Sequence, residues 1–86
     1  MTGYVHASQR RYQVTGKIRE LRRLPNSAEG NPRWRISIMP SSGPLLVYRT
    51  KPNISDAYIL SSHHVGRTAT LTIDDTLVTH IEFKEE

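Results

Sequence analysis

The sequence predicts an all-β protein with one short helix, folded as a small five-stranded barrel. Hydrophobic and polar residues alternate with a period of two through most of the chain after residue 11, which is typical of half-buried strands. Clusters of Gly, Pro, Asn, Asp and Ser divide this pattern into five segments, and such clusters are typical of turns. One segment, at about residues 55–63, loses the alternation and predicts the helix between the third and fourth strands.

The first predicted strand carries basic residues on its outer side. Its inward positions are Tyr12, Val14, Gly16 and Ile18. The next hydrophobic residues, Leu21 and Leu24, follow at intervals of three, and this spacing predicts a β-bulge or a strong bend near Arg19 and Glu20. Residues 25–32 are rich in Pro, Asn, Ser and Gly, so we expect an exposed loop that serves first as a flexible connection and second as a binding surface.

The second predicted strand is the clearest in the chain. Its hydrophobic residues Trp34, Ile36 and Ile38 alternate with Arg33, Arg35 and Ser37. We therefore expect Trp34 in the core and the two arginines outside. Residues 45–50 predict the third strand, in which either Leu45 and Val47 or Leu46 and Tyr48 face inward. If Leu45 and Val47 are the inward pair, Tyr48 is the best candidate for stacking on a ligand.

The rest of the chain predicts the helix and a closing hairpin. Ser55 is the expected N-cap of the helix, and Asp56 suits its first turn because a negative charge is favourable there. Residues 67–73 and 77–83 are the last two predicted strands, joined by a turn at 74–76. Their expected inward residues are Ala69, Leu71, Ile73, Leu77, Thr79, Ile81 and Phe83.

This order of elements is that of the OB-fold, a five-stranded Greek-key barrel, although SH3-like barrels and small α+β sandwiches also offer five strands and a short helix. Four segments carry a further likeness: Gly16–Leu21, Leu24–Asn26, Trp34–Ile36 and Val65–Leu71. They resemble the S1-like OB domain of bacterial translation initiation factor 1, in which a Gly-x-Val strand runs into a Leu-Pro-Asn loop. The chain departs from that family by an insertion after Asn26, by Arg67 in place of an aspartate and by an acidic end. The resemblance implies an OB-like barrel and nucleic-acid binding, not a ribosomal function.

Length and composition indicate a single barrel domain at residues 12–86, preceded by a flexible arm at 1–11. A chain of 86 residues is too short for a deep cleft between lobes, so we expect no enzyme. It has no cysteine, no apolar run of membrane-spanning length and no signal peptide, which favours a cytoplasmic protein without a membrane partner. The adjacent His63 and His64 point in different directions, and we expect no metal, no cofactor and no catalytic residue.

Charge is the strongest indication of function. Residues 1–35 contain eight basic and two acidic residues, a formal charge of +6, whereas residues 36–86 carry −2. Outward arginines also protect strand edges, but their clustering in one half favours a phosphate backbone as ligand. We therefore expect a non-enzymatic protein that binds nucleic acid, preferably single-stranded DNA or RNA. The candidate binding residues are Lys17, Arg19, Arg22, Arg23, Arg33, Arg35, Tyr48, Arg49 and Lys51.

Two other functions fit the same sequence. The basic surface also suits a small protein-interaction module, such as a regulator, inhibitor or assembly factor, that docks on an acidic partner. A nonspecific structural barrel is the third possibility. Residues 45–50 or 77–83 are expected to be exposed edges through which a homodimer can form.

Overall fold

The longest strand, β1 (Arg11–Leu24), has a neighbour on each side and closes a β-barrel. The structure is a computed structural model that describes residues 10–85, so residues 1–9 of the predicted arm lie outside the described residues. The other strands are β2 (Arg33–Pro40), β3 (Leu46–Thr50), β4 (Thr68–Asp74) and β5 (Leu77–Phe83). They are paired in the order β1-β2-β3-β5-β4, and β4 returns to β1. The prediction of an all-β, five-stranded barrel is confirmed, and the architecture is consistent with a small OB-like barrel.

Strand β1 changes its partners along its length. Its N-terminal half pairs with β4, from Arg11 opposite Asp74 to Lys17 opposite Thr68, and its C-terminal half pairs with β2. The neighbouring strands of the barrel are antiparallel, except for β3 and β5, which run parallel and pair only at Arg49 and Thr50. Strand β1 therefore joins the N-terminal strands to the C-terminal hairpin and closes the barrel.

A glycine makes this double pairing possible. Gly16 lies opposite Pro40 on β2 and opposite Ala69 on β4. A Cβ atom at Gly16 would lie 2.4 Å from the carbonyl oxygen of Met39, which is far inside a normal contact distance. Because the obstructing atoms belong to the backbone, β1 and β2 approach this closely only with glycine at position 16.

The β-bulge predicted in β1 is present. The register with β2 shifts between Ile18 and Glu20, so that Arg19 is the extra residue. Before the bulge, Ile18 faces the core; after it, Leu21 faces the core and Glu20 faces outward. A bulge inserts one residue and so reverses the alternation, which is what the three-residue hydrophobic spacing indicates.

The core consists of aliphatic side chains from the inner faces of the strands and from the segment between β3 and β4. Its buried members are Ile18, Ile36, Ile38, Leu60, Ala69, Leu71, Ile73, Val78 and Ile81. Trp34 packs against them while remaining half-buried, and its indole Nε1 donates a hydrogen bond of 2.9 Å to the carbonyl of Ala57. The expected core position of Trp34 is therefore confirmed.

The prediction for β5 was wrong at Leu77 and Thr79, which were both expected to face inward. Val78, not Thr79, is buried. The register between β4 and β5 shifts so that Thr72 lies opposite His80 but Ile73 lies opposite Val78, which leaves Thr79 without a partner. A second bulge thus reverses the alternation inside β5, and the spacing of hydrophobic residues in the sequence does not indicate it.

The single predicted helix at 55–63 is instead two short 3₁₀ helices, Ser55–Tyr58 and Ser62–His64. The expected N-cap, Ser55, is the first helical residue, and no side chain caps this helix. The carboxylate of Asp56 accepts a hydrogen bond of 2.9 Å from the backbone N–H of Ile81, and Nδ1 of His80 lies 2.6 Å from Oδ2 of the same carboxylate. Asp56 therefore attaches the segment to β5 rather than extending a helix.

Candidate functional site

Three arginines lie side by side on the outer surface of strands β1, β2 and β3. Arg22 is the cross-strand partner of Arg35, and Arg35 is the partner of Arg49. Directly opposite residues in a sheet have Cβ atoms about 5 Å apart. These three residues, called the arginine row below, present three guanidinium groups on adjacent strands. Like charges in this arrangement repel each other, so the row is unfavourable for the stability of the folded protein.

The bulge at Arg19 is responsible for the position of Arg22. Without it, the alternation of β1 would turn Arg22 inward and Arg23 outward. With it, Arg22 joins the outer surface, and Arg23 lies opposite Trp34 with its guanidinium carbon 5.7 Å from the centre of the indole. Arg23 also donates a hydrogen bond to the side chain of Asn26. Of these two neighbouring arginines, one belongs to the row and the other supports the loop after β1.

One carboxylate lies next to the arginine row. Glu20 faces outward on β1, opposite Ser37, and its oxygens lie 3.7 Å from Nη2 of Arg35 and 3.8 Å from Nη2 of Arg22. The Ser37 hydroxyl also donates to Oε1 of Glu20 at 3.5 Å. No ion pair involves Arg49 within the described residues. Glu20 therefore neutralises part of the row and leaves Arg49 free of an acidic partner in this part of the chain.

Two guanidinium donors, one in the arginine row and one beside it, lack hydrogen-bond partners within the described residues. The Nε atoms of Arg33 and Arg35 are buried and make no hydrogen bond within the described residues. Arg33 faces outward on β2, opposite Leu24 on β1. A buried donor without a partner costs about 1–3 kcal/mol, so this surface keeps its arginines at some expense in stability.

The remaining predicted binding residues are spread more widely. Lys51 directly follows β3 and is exposed, while its backbone N–H donates to the carbonyl of Val78 at 2.8 Å. Lys17 lies before the bulge, opposite both Met39 and Thr68, where it lines a shallow groove of about 300 Å³. Arg19 is the bulged residue itself and is exposed. The structure thus brings Arg22, Arg35 and Arg49 into direct succession, with the others along or beyond the same strands.

Tyr48 does not meet the condition on which its stacking role depended. Leu45 and Val47 are exposed, at 45% and 53%, whereas Leu46 and Tyr48 are half-buried and pack against the core. The hydroxyls of Tyr48 and Tyr12 lie 3.2 Å apart. Burial, followed by this hydrogen bond and the charge that Tyr12 acquires on ionisation, raises the pKa of Tyr48 to about 12. The Tyr48 ring thus belongs with the inner face of β3, away from the arginine row.

Side-chain hydrogen bonds connect the loop after β1 to the segment after β3. Ser27 and Asn31 both donate to the side-chain oxygen of Asn53 at 2.7 Å, and Asn53 donates to Glu29 at 2.8 Å. The hydroxyl of Tyr58 donates to Asn31. These five residues attach the loop to the segment after β3. Composition does not reveal these contacts, because the partners lie more than twenty residues apart in the chain.

Tyr58 is a residue that the sequence analysis did not select. Its side chain is 62% exposed, and it contacts Asn31, two residues before Arg33 at the start of β2. The outward positions of β2 and β3 hold no aromatic residue, which makes Tyr58 a candidate aromatic group at the Arg33 end of this surface. No sequence pattern identified it, because its exposure and its contact with Asn31 depend on the fold.

The surface on the opposite side of β1 has a different character. Thr15 and Thr70 are joined by a hydrogen bond of 2.7 Å, Gln13 donates to Thr72 at 3.3 Å, and Arg11 pairs with Asp74 at 3.1 Å. These polar side chains hydrogen-bond to one another, and the positive charge of Arg11 is neutralised by Asp74. The excess of positive charge is therefore on the β1–β2–β3 side.

The three histidines within residues 10–85 have structural contacts. His64 stacks on Phe83 with ring centres 4.2 Å apart, and its side chain accepts a hydrogen bond from the backbone of Ser61. Across residues 10–85, no three His, Asp or Glu side chains are arranged to hold a metal ion. A groove of about 520 Å³ between β1, β4 and β5 is lined by Gln13, Thr70 and Glu82 among others, away from the arginine row.

The helices within the described residues are too short to cross a membrane. Comparison with protein families, curated proteins and solved structures finds no match to this chain.

Proposed function

We propose that this protein binds single-stranded nucleic acid, DNA or RNA, across the outer surface of β1, β2 and β3. The observation that carries the proposal is the arginine row, where Arg22, Arg35 and Arg49 stand on three adjacent strands. Guanidinium groups bind phosphate oxygens in a bidentate manner and also stack on bases. The row is unfavourable for the folded protein alone, and a polyanionic ligand removes that repulsion.

Two further features support the same ligand class. OB-like barrels use the surface of strands two and three, with the adjacent loops, to bind oligonucleotides. The resemblance of Gly16–Leu21 and Val65–Leu71 to S1-like barrels supports this choice. Tyr58 is exposed and donates a hydrogen bond to Asn31, shortly before β2, and an exposed ring there is able to stack on a base. Stacking on arginine planes replaces the role first considered for Tyr48.

The experiment measures binding of a labelled single-stranded oligonucleotide, its RNA counterpart and a duplex by fluorescence anisotropy at several salt concentrations. Three phosphate contacts by the row predict a slope of about −2 for log affinity against log salt on single strands, or a loss of about 20-fold between about 50 and about 200 mM. Arg49→Gln removes one contact without breaking an ion pair within the described residues. We expect its slope to be shallower by about 0.7.

The matched control is Arg11→Gln, an arginine exposed on the β1–β4 side and paired with Asp74. It removes the same charge eleven residues along β1 from Arg22, and we expect it to leave the slope unchanged. If the folded protein binds none of the three ligands at low salt, the proposal is refuted. The arginine row would then be assigned to an acidic protein partner, and a pull-down with immobilised protein would test that function.

A further inference from the structure

Glu20 has a position that a surface made only for phosphate would not favour. Its carboxylate lies between the guanidinium groups of Arg22 and Arg35 and repels any phosphate that approaches them. The distances of 3.7 and 3.8 Å are longer than hydrogen bonds, and the Glu20 side chain is 49% exposed. The carboxylate oxygens therefore retain lone pairs that face solvent and are free to accept from a ligand.

The position of Glu20 is built into the strands. The bulge at Arg19 turns it outward, and its cross-strand partner Ser37 is only 4% exposed. The buried Ser37 hydroxyl donates to Oε1 of Glu20 at 3.5 Å. A carboxylate oriented by a buried hydroxyl on paired strands is better defined than one on a loop.

We propose that Glu20 recognises a guanine base in the single-stranded ligand, with Arg22 and Arg35 as its neighbours in recognition. This inference rests on the proposed function. The two carboxylate oxygens accept from the N1–H and N2–H groups of guanine, and a flanking guanidinium donates to the O6 or N7 acceptor of the same base. In a single strand these edges are unpaired and open to side chains.

Guanine fits this group better than the other bases do. It has two adjacent N–H donors for the two oxygens of one carboxylate, and an acceptor next to them for an arginine. Thymine, uracil, adenine and cytosine each offer a single donor group on the corresponding edge. This arrangement also orients the ligand on the surface. A base contacts Glu20, and phosphates contact Arg49, which has no acidic partner within the described residues.

The test compares a labelled oligothymidine with an oligomer of equal length that contains isolated guanines, each flanked by thymines so that guanines do not associate. A third oligomer carries inosine, which lacks the N2 amino group, at the same places. For the unaltered protein we expect roughly tenfold tighter binding of the guanine oligomer than of oligothymidine, and a smaller preference for the inosine oligomer.

The decisive variant is Glu20→Gln, and Glu82→Gln on β5 is its matched control because it removes the same charge away from the arginine row. We expect Glu20→Gln to bind oligothymidine more tightly, since a negative charge is lost, while the guanine preference disappears. Glu82→Gln should keep the preference. Urea unfolding of both variants verifies that they are folded.

Three results would overturn the inference. The first is equal binding of all three oligomers by the unaltered protein, and the second is tighter binding of oligothymidine than of the guanine oligomer. The third is a rise in affinity of Glu20→Gln for oligothymidine and for the guanine oligomer by one common factor, which would make Glu20 only a neutralising charge. In each of these cases the proposed function survives, because oligonucleotides still bind. Absence of binding to every oligomer would refute the proposed function together with the inference.

Discussion

Replacing Gly16 by alanine should destabilise the barrel more than any other single methyl group added to a described glycine. The new Cβ would lie 2.4 Å from the Met39 oxygen, 2.7 Å from the Met39 carbonyl carbon and 2.9 Å from Cα of Pro40. These are backbone atoms of β2, so no rotation of a side chain relieves the overlap. Strand β1 cannot move away freely either, because β4 is paired on its other side.

The expected size follows from two opposing terms. Overpacking of this kind costs about 1–3 kcal/mol, and the upper part of that range applies because strands must separate. Alanine also restricts the unfolded chain, which returns about 0.4–1 kcal/mol. We expect the free energy of unfolding to fall by about 2 kcal/mol. For a urea dependence of about 1 kcal/mol/M, typical of a small protein, the midpoint falls by about 2 M.

The assay is urea unfolding followed by fluorescence of Trp34, the only tryptophan, which packs on the core and reports its loss. Gly43→Ala is the matched control. Gly43 has open space around it and a φ of +102°, so alanine there meets backbone strain of about 1–2 kcal/mol without overlap. A Gly16→Ala midpoint at or above that of the unaltered protein would refute the role assigned to this close approach.

Two further outcomes follow from single contacts. As pH rises from about 10 to about 12, the free energy of unfolding should decline, because the pKa of Tyr48 is raised to about 12 in the folded state and the unfolded chain ionises first. Urea unfolding at several pH values should show a smaller decline for Tyr48→Phe. In a spectrophotometric titration, Tyr12→Phe should lower the pKa of Tyr48. Asp56→Ala should cost about 1–3 kcal/mol, because it leaves the N–H of Ile81 without its acceptor. His80→Ala, at an exposed side chain, should cost less than about 1 kcal/mol in the same assay, and equal losses would contradict this account of Asp56.

The sequence predicted the features that residues close together in the chain determine, such as strand β2 and the bulge in β1. The alternation at Trp34, Ile36 and Ile38 identified β2 correctly, and the three-residue spacing to Leu21 identified the first bulge. Both signals arise because residues on the buried side of a strand are hydrophobic, so their spacing shows which positions face the core. The second bulge gave no such signal, because Leu77 and Val78 are both hydrophobic and either is acceptable in the core.

What the sequence could not predict depends on pairing across the chain. Arg22, Arg35 and Arg49 were all selected, but only the register of three strands makes them neighbours. The same register brings Glu20 next to two of them, and no sequence pattern linked this acid to the basic residues. The contacts of Asn53 with Ser27 and Asn31 similarly join two loops that lie far apart in sequence. The sequence identifies which residues are able to bind a ligand, but only the fold shows which of them lie next to each other.

The double pairing of β1 also has a consequence for the order in which the chain folds. Its partners on β2 are near in sequence, with Leu24 opposite Arg33, whereas its partners on β4 are distant, with Arg11 opposite Asp74. Bringing distant segments together costs more chain entropy and slows folding. The three strands that carry the arginines form a local meander, so we expect them to assemble first and the β1–β4 ladder to set the overall folding rate. Substitutions at Thr15 or Thr70 should then act on how fast the barrel closes, and substitutions within the meander should act on what it binds.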